Sequence, residues 1–254
     1  MKMLSIICCY NNKKMYENLL VKSLKKQNDV QYELIGIDNT NNKFSSAAQA
    51  LNWGCQKAKN ENLLFVHQDF EFMSSTALSD ICQFYNKISD YDIWGAAGAI
   101  KEEKAPLLKK LIGRNRIIYS SLDQTEYMIH DYKRCESVDE CCFGFKKSFW
   151  VKHNFSEEIC DSWDLYAVEM CLYANCIGGN IMVIPVSAKH HSGGNLTSSF
   201  YRVLRKMSKE YKNKKSEIIT PCVVTFTKFY NYEYIKLMFV NIIRKIVASK
   251  RGYR

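Results

Sequence analysis

Three short runs of apolar, β-favouring residues constrain this chain more than any other feature: residues 4–9 (LSIICC), 32–37 (YELIGI) and 62–66 (NLLFV). The first and third are continuous rather than alternating, as expected of strands covered on both faces of a parallel sheet. Each run stops at a polar side chain, at Tyr10, at Asp38 and at His67-Gln68-Asp69. Between the runs the spacing predicts helices over about 14–26, with Leu19, Leu20 and Leu24 on one face, and over about 45–59. The second opens at Ser45-Ser46 and closes on lysines that complement a helix C-terminus. A β-α-β-α-β order with right-handed crossovers places all three strand ends along one edge, where open α/β sheets bind their ligands.

The remainder reads as one more layer around the same sheet. A helix is expected over 76–89 and a strand over 93–100. Residues 101–135 are polar and mixed in charge, and read as an insertion or an acceptor-side loop. A strand follows at 137–145, a helix at 165–175 and a strand at 180–186, leading to His190-His191 and Gly193-Gly194. Two tail helices close the chain, about 198–216 and 232–249, joined by an apolar link at 218–226. At 254 residues and 47% apolar content the chain suits one large ordered α/β domain with a helical appendage. The expected division is residues 1–197 as catalytic domain and 198–254 as basic helical extension.

Charge supports that division. Residues 198–254 carry 14 Lys/Arg against 3 Asp/Glu, whereas residues 1–197 are close to neutral. A basic surface confined to the tail, with no recognised motif beside it, argues against nucleic acid as partner. The 11 cysteines are scattered, lie mostly in apolar runs and lack metal-knuckle spacing, so they read as reduced core residues. With no secretory leader pattern and no run of about 18 apolar residues, the expected location is cytoplasmic, peripheral at the inner face of the membrane. The tail supports the second half of that expectation. Its Tyr232–Val247 stretch mixes apolar and basic residues, as a helix lying on an anionic membrane would; packing on the domain or on a second subunit of a homo-oligomer is the alternative.

Asp69 carries the most specific chemical signal. A divalent metal bridging two phosphates needs a hard carboxylate oxygen on a rigid edge, and an aspartate at the end of a buried third strand supplies one. Capping of the following segment is the plain structural alternative. Segments 5–12 (SIICCYNN) and 45–70 (SSAAQALNWGCQKAKNENLLFVHQDF) resemble the family 2 glycosyltransferases and their close relatives, segments 137–150 (SVDECCFGFKKSFW) and 161–174 (DSWDLYAVEMCLYA) resemble a bacterial subgroup of GT-A-like enzymes, and the resemblance runs through most of residues 4–195. His67-Gln68-Asp69 stands where family 2 has Asp-x-Asp, a variant resembling the same bacterial subgroup.

The resemblance implies a GT-A Rossmann-like nucleotide-diphospho-sugar transferase fold with a C-terminal helical tail. It also implies a nucleotide-sugar donor, a glycan or lipid-linked acceptor and an inverting transfer in bacterial surface polysaccharide synthesis. Cys9, Tyr10, Asn11, Asp38, Asn39, Asn52, His67 and Gln68 would contact the nucleotide sugar. Asp69 would hold Mn2+ or Mg2+, and His190 or His191 would add an imidazole ligand, a polar turn being the other reading of that pair. The acid pair that often serves as base falls here on Tyr166 and Ala167. The base is therefore expected from Asp164 or, second, Glu169, although Asp164 also suits an N-cap and Glu169 a first-turn helix acid. An inactive glycan- or partner-binding module of the same fold is the competing expectation.

Overall fold

The computed structural model describes residues 3–87, 92–122, 127–192 and 196–250. The first strand, β1 (Met3–Tyr10), is followed by α1 (Lys13–Met15), a π-helical stretch (Tyr16–Val21) and α2 (Lys22–Leu24), then by β2 (Gln31–Asp38), α3 (Ala47–Lys57) and β3 (Asn62–Val66). β1 lies between β2 and β3 and runs parallel to both. This half follows the sequence expectation closely.

Side chains alternate between two apolar layers, which is why the runs are continuous. Leu4, Ile6 and Cys8 of β1, with Leu64 and Val66 of β3, join the core beneath the first helix. Ile7, Leu63 and Phe65 point the opposite way, into the core shared with α3. Phe65 stacks on Phe143 at 4.8 Å and meets Phe155 edge-on at 5.3 Å. Each such buried ring contributes roughly 2 kcal/mol.

After β3 the chain forms β4 (Phe70–Phe72), α4 (Ala77–Lys87), β5 (Ile93–Gly95), β6 (Ala97–Lys101), α5 (Leu107–Leu111), β7 (Arg116–Ser120), β8 (Tyr127–Met128), β9 (Lys133–Arg134), β10 (Ser137–Val138) and β11 (Cys142–Lys146). The strand expected over 93–100 is thus two strands. β5 stays in the main sheet, whereas β6 leaves at Ala96 to join β10, β7 and β8 in a second one. The strand expected over 137–145 is likewise divided by a turn at residues 139–141. Residues 101–135 hold α5 and three strands.

The main sheet has the order β2-β1-β3-β11-β5-β12-β9, where β12 is Ile181–Val183. β11 is antiparallel to both of its neighbours and β9 to β12, so the sheet is mainly parallel. The last elements are α6 (Lys147–Lys152), α7 (Tyr166–Cys176), β13 (Ala188–His190), α8 (Ser198–Tyr211), a hairpin of β14 (Glu217–Ile219) and β15 (Val224–Phe226), and α9 (Tyr230–Lys250). Helix α8 is amphipathic, with Phe200, Val203, Leu204, Met207 and Tyr211 buried in the core that also holds α3 and α7. All 11 cysteines are free thiols. Among the described residues no helix is long and apolar enough to cross a membrane.

Candidate active site

A cleft of about 270 Å³ opens at the carboxyl ends of β1 and β3. Its walls include Cys9, Tyr10, Asn11, Asn39, His67, Gln68 and Asp69, together with Asn42, Glu140, Trp163 and Tyr166. The first seven were expected from sequence. Asp38, Asn52, Asp164, Glu169, His190 and His191 do not line it directly.

The floor is held by polar side chains tied to one another. Gln68 Oε1 accepts the backbone N–H groups of Asn11 and Asn12 at 3.0 and 2.8 Å, and its Nε2 donates to Asn11 Oδ1 at 2.8 Å. Gln68 therefore fixes the turn after β1, and Asn12 then caps the first helix by accepting from Met15 N. Tyr10 stacks on Tyr16 at 4.2 Å, and the Tyr16 ring lies so close over Gly36 that a β-carbon there would meet its hydroxyl. Asn39, buried, exchanges two hydrogen bonds with the Phe44 backbone and shapes the loop after β2. Asp38 is fully exposed; its Oδ1 accepts from the Thr40 hydroxyl and N–H, which hold its carboxyl below the usual value. Asn52 faces away, accepting from Trp150 Nε1 and Phe155 N while donating to Phe155 O and Glu157.

Three potential metal ligands converge beside the cleft. One atom from each of His67, Asp69 and His190 lies within 4.8 Å of the others. β13 pairs antiparallel with β4 and sets His190 opposite Phe70, so the late histidine reaches the end of β3. His190 Nε2 stands 3.4 Å from Asp69 Oδ1 and 3.4 Å from His67 Nδ1, and the other His67 nitrogen meets the Tyr166 hydroxyl at 3.0 Å. Burial raises the Asp69 pKa, but the bond and charge of His190 outweigh it and leave the carboxyl below its usual value. Burial and the adjacent His190 charge push His67 down, toward the neutral imidazole that binds metals. His191, next to His190 in the chain, turns the other way, to Glu71 Oε2 at 2.9 Å. Gly193 and Gly194, which follow the histidine pair, lie outside the described residues.

The two acids weighed as base occupy different surroundings. Asp164 stands at the turn before α7 and accepts from the Ser162 and Ser199 hydroxyls at 2.9 and 2.7 Å. The next residue, Leu165, adopts a left-handed conformation (φ 66°) and offers α7 no side-chain cap. Glu169 is 1% exposed, one turn into α7; both oxygens face His153 Nε2 at 3.1 Å, and Oε1 also accepts from the Tyr211 hydroxyl at 2.8 Å.

Sequence reasoning passed over Glu140, which with Asp69 is one of two acids in the cleft wall among the described residues. It sits in the turn between β10 and β11 with its carboxyl toward the N–H groups of Tyr166 and Ala167 at the start of α7, which favour its charged form. Its Oε1 is buried without a partner among the described residues. Burial, then the charges of Asp139 and Asp164, push its pKa well up. The available signal was a pair of acids at the head of an apolar segment, DECCFGF.

The model of a family described as "Glycosyltransferase like family" matches residues 5–225. Among solved structures, S. aureus TarS aligns with a TM-score of 0.52 at 17% identity, over 85% of this chain and 40% of that one. Residues 1–349 of S. aureus TarS in complex with UDP-GlcNAc give 0.51 at 15% identity, over 94% and 72%. GalNAc-T7 with UDP, GalNAc and Mn2+ gives 0.56 at 13% identity, over 85% and 49%. At such identities the likeness is one of fold. The chain covers 40% of the longer TarS chain and about half of GalNAc-T7. A comparison with curated proteins returned no match.

Proposed function

Because this chain belongs to the glycosyltransferase-like family whose model it matches over 221 of its residues, 5–225, we propose that it moves a sugar from a nucleotide-diphosphate donor to a glycan or lipid-linked acceptor. The observation that carries the reading is the His67–Asp69–His190 grouping at the rim of the cleft. Two imidazole nitrogens and one carboxylate oxygen fit a divalent transition ion such as Mn2+ better than Mg2+, which prefers an all-oxygen shell. A cation bound there would offset the negative charge that develops on the leaving diphosphate. The resemblance to the His-Gln-Asp subgroup rests on His67-Gln68-Asp69, two of which belong to this grouping, and on residues 137–150 and 161–174.

The remaining roles follow from position. Cys9, Tyr10, Asn11 and Asn39 border the nucleotide end of the cleft, with Asp38 just outside it. In an inverting transfer the acceptor oxygen bonds to the sugar's anomeric carbon as the carbon–phosphate-oxygen bond breaks, and the electron pair leaves with the diphosphate. The acceptor's proton goes to a carboxylate. Asp164 is our assignment for that base, since both oxygens of Glu169 are already engaged. Glu140 is the competing carboxyl, favoured by its place in the cleft wall and by its unpartnered oxygen. The division at residue 197 stands as one of charge, with a near-neutral catalytic unit and a basic extension, the latter sending α8 into the shared core. Surface-polysaccharide synthesis at the inner face of the membrane is the setting we assign.

An inactive binding module remains the second reading, favoured by Tyr166 and Ala167 in place of the acid pair. Release of UDP from UDP-GlcNAc with Mn2+ separates the two, alongside thermal shift against UDP-, GDP-, dTDP- and CMP-sugars. A transferase gives a shift with at least one donor and slow, metal-dependent nucleotide release. A shift without release supports the inactive module, and neither signal with any donor removes the nucleotide-sugar reading.

A further inference from the structure

The helices of a packed domain turn their apolar stripes inward; α9 does so with one face only. Leu237 is buried, and Tyr234 and Met238 pack on the core. Ile235, Phe239, Ile242 and Ile246 point outward with about half or more of their surface exposed, at the i, i+4, i+7, i+11 spacing of a single stripe. Helix α5 repeats the pattern on a smaller scale: Leu107 and Leu108 are 72% and 70% exposed, and Leu111 is exposed as well.

The two helices meet at one corner of the molecule. Arg244 of α9 donates to the Ile112 carbonyl just after α5 at 3.3 Å. Gly113, at φ 66°, packs its backbone against Leu237 so closely that a β-carbon would stand 3.0 Å from that side chain. Residues 104–122 contain five Lys/Arg and no Asp/Glu, and α9 contains one acid, Glu233, buried and paired with Lys236. Arg114, Arg116 and Arg244 gather where the helices meet, and among the described residues none of them forms an ion pair with a carboxylate. Burial, then the neighbouring charges of Arg114 and Arg244, hold the Arg116 guanidinium below its usual value. Such a cluster calls for anions from outside the chain.

We propose that α5 and α9 together seat the protein on the headgroup layer of an anionic bilayer, with the exposed Arg114 taking lipid phosphate and the outward leucines, isoleucines and phenylalanine entering the acyl boundary. Exposed apolar side chains beside a cationic cluster that no carboxylate of the described residues neutralises match the apolar and charged layers of such a surface. A second copy of the chain is a poorer occupant, since a two-fold contact through this face sets arginines against arginines. The inference extends the peripheral placement given above and brings in α5, which the tail alone does not include. It stands apart from the transferase reading, because the assay requires no donor.

The test is co-sedimentation of the full chain with vesicles of equal parts phosphatidylglycerol and phosphatidylcholine, and with phosphatidylcholine alone, at low and high salt. The expected result is binding to the anionic vesicles at least tenfold tighter than to the neutral ones, weakened by salt. Leu107→Glu with Leu108→Glu, and separately Phe239→Glu with Ile242→Glu, each lower it at least tenfold. Arg114→Ala lowers it about fivefold. All five positions except Ile242, at 49%, are more than half exposed or face solvent, so circular dichroism of the variants should match the parent. Equal binding to both vesicle types, parental binding by the α5 variant, or a chain that stays in the supernatant throughout overturns the proposal. So does a dimer, seen by light scattering, that these substitutions dissociate without any vesicle binding.

Discussion

His67, Asp69, His190 and Tyr166 on one side of this fold, and His153, Glu169, Tyr211 and Tyr173 on another, are the same side-chain chemistry in two settings. In the second, the histidine faces both oxygens of Glu169 at 3.1 Å, its ring stacks on Tyr173 at 3.8 Å, and Tyr211 donates to the carboxylate. Every polar atom of Glu169 has its partner inside the protein, so the grouping joins α7, α8 and the end of α6. In the first, His67 meets the Tyr166 hydroxyl at 3.0 Å, but His190 stands 3.4 Å from both His67 and Asp69, longer than a good hydrogen bond, and the group borders an open cleft. Satisfied polar clusters stabilise; loosely satisfied ones beside a cleft are available to a ligand.

Substitution should separate the two settings. Asp69→Asn is expected to abolish transfer and manganese-dependent donor binding while the melting temperature stays within a few degrees of the parent. Wild-type turnover in that variant would remove the metal assignment. Glu169→Ala should do the reverse, because it leaves the buried Tyr211 hydroxyl and the half-buried His153 without their acceptor. The expected cost is about 3 kcal/mol of stability, a fall of roughly 6–12 °C in melting temperature, with turnover of the folded fraction near parental. A variant that melts normally but fails to turn over would move Glu169 from the core to the chemistry.

Between these extremes lie the two remaining carboxyls. Asp164→Asn is expected to lower turnover about 10²-fold with donor affinity preserved, the loss typical of a general base. If Asp164→Asn is near parental and Glu140→Gln shows that loss, the base belongs to the cleft wall. The glutamine keeps an acceptor for the α7 N–H groups, so its melting temperature reports separately on capping. The smallest effect is expected from Asp38→Ala, a rise of about three- to tenfold in the donor dissociation constant by calorimetry, the loss of roughly one hydrogen bond. An unchanged constant would take Asp38 out of the donor site.

The sequence was most informative where one local rule decided the outcome. β1 and β3 were legible because burial on both faces demands continuous apolar runs, and Asp69 because it ends one of them. Chain-distant pairing was not legible. Nothing in residues 181–190 says that β12 stays in the main sheet while β13 leaves to pair with β4, and that exchange selects His190 over His191 for the cleft side. Ala96, between two short runs, gives no hint that the chain changes sheets there. Glu140 was missed because its partners, Tyr166 and Ala167, come from another segment. Asn52 drew notice for lying in a matching stretch, yet its amide joins α3 to residues 150–157.

The pairing of β4 with β13 also bears on how a newly made chain acquires its site. His67 and His190 are 123 residues apart, so during synthesis the sheet edge bearing Asp69 leaves the ribosome long before its third ligand exists. Closing a loop of that length is among the later and slower steps of folding. A nascent or truncated chain ending before β13 offers a cation only two of the three ligands, and stable capture of the ion becomes a sign that the catalytic unit has been completed.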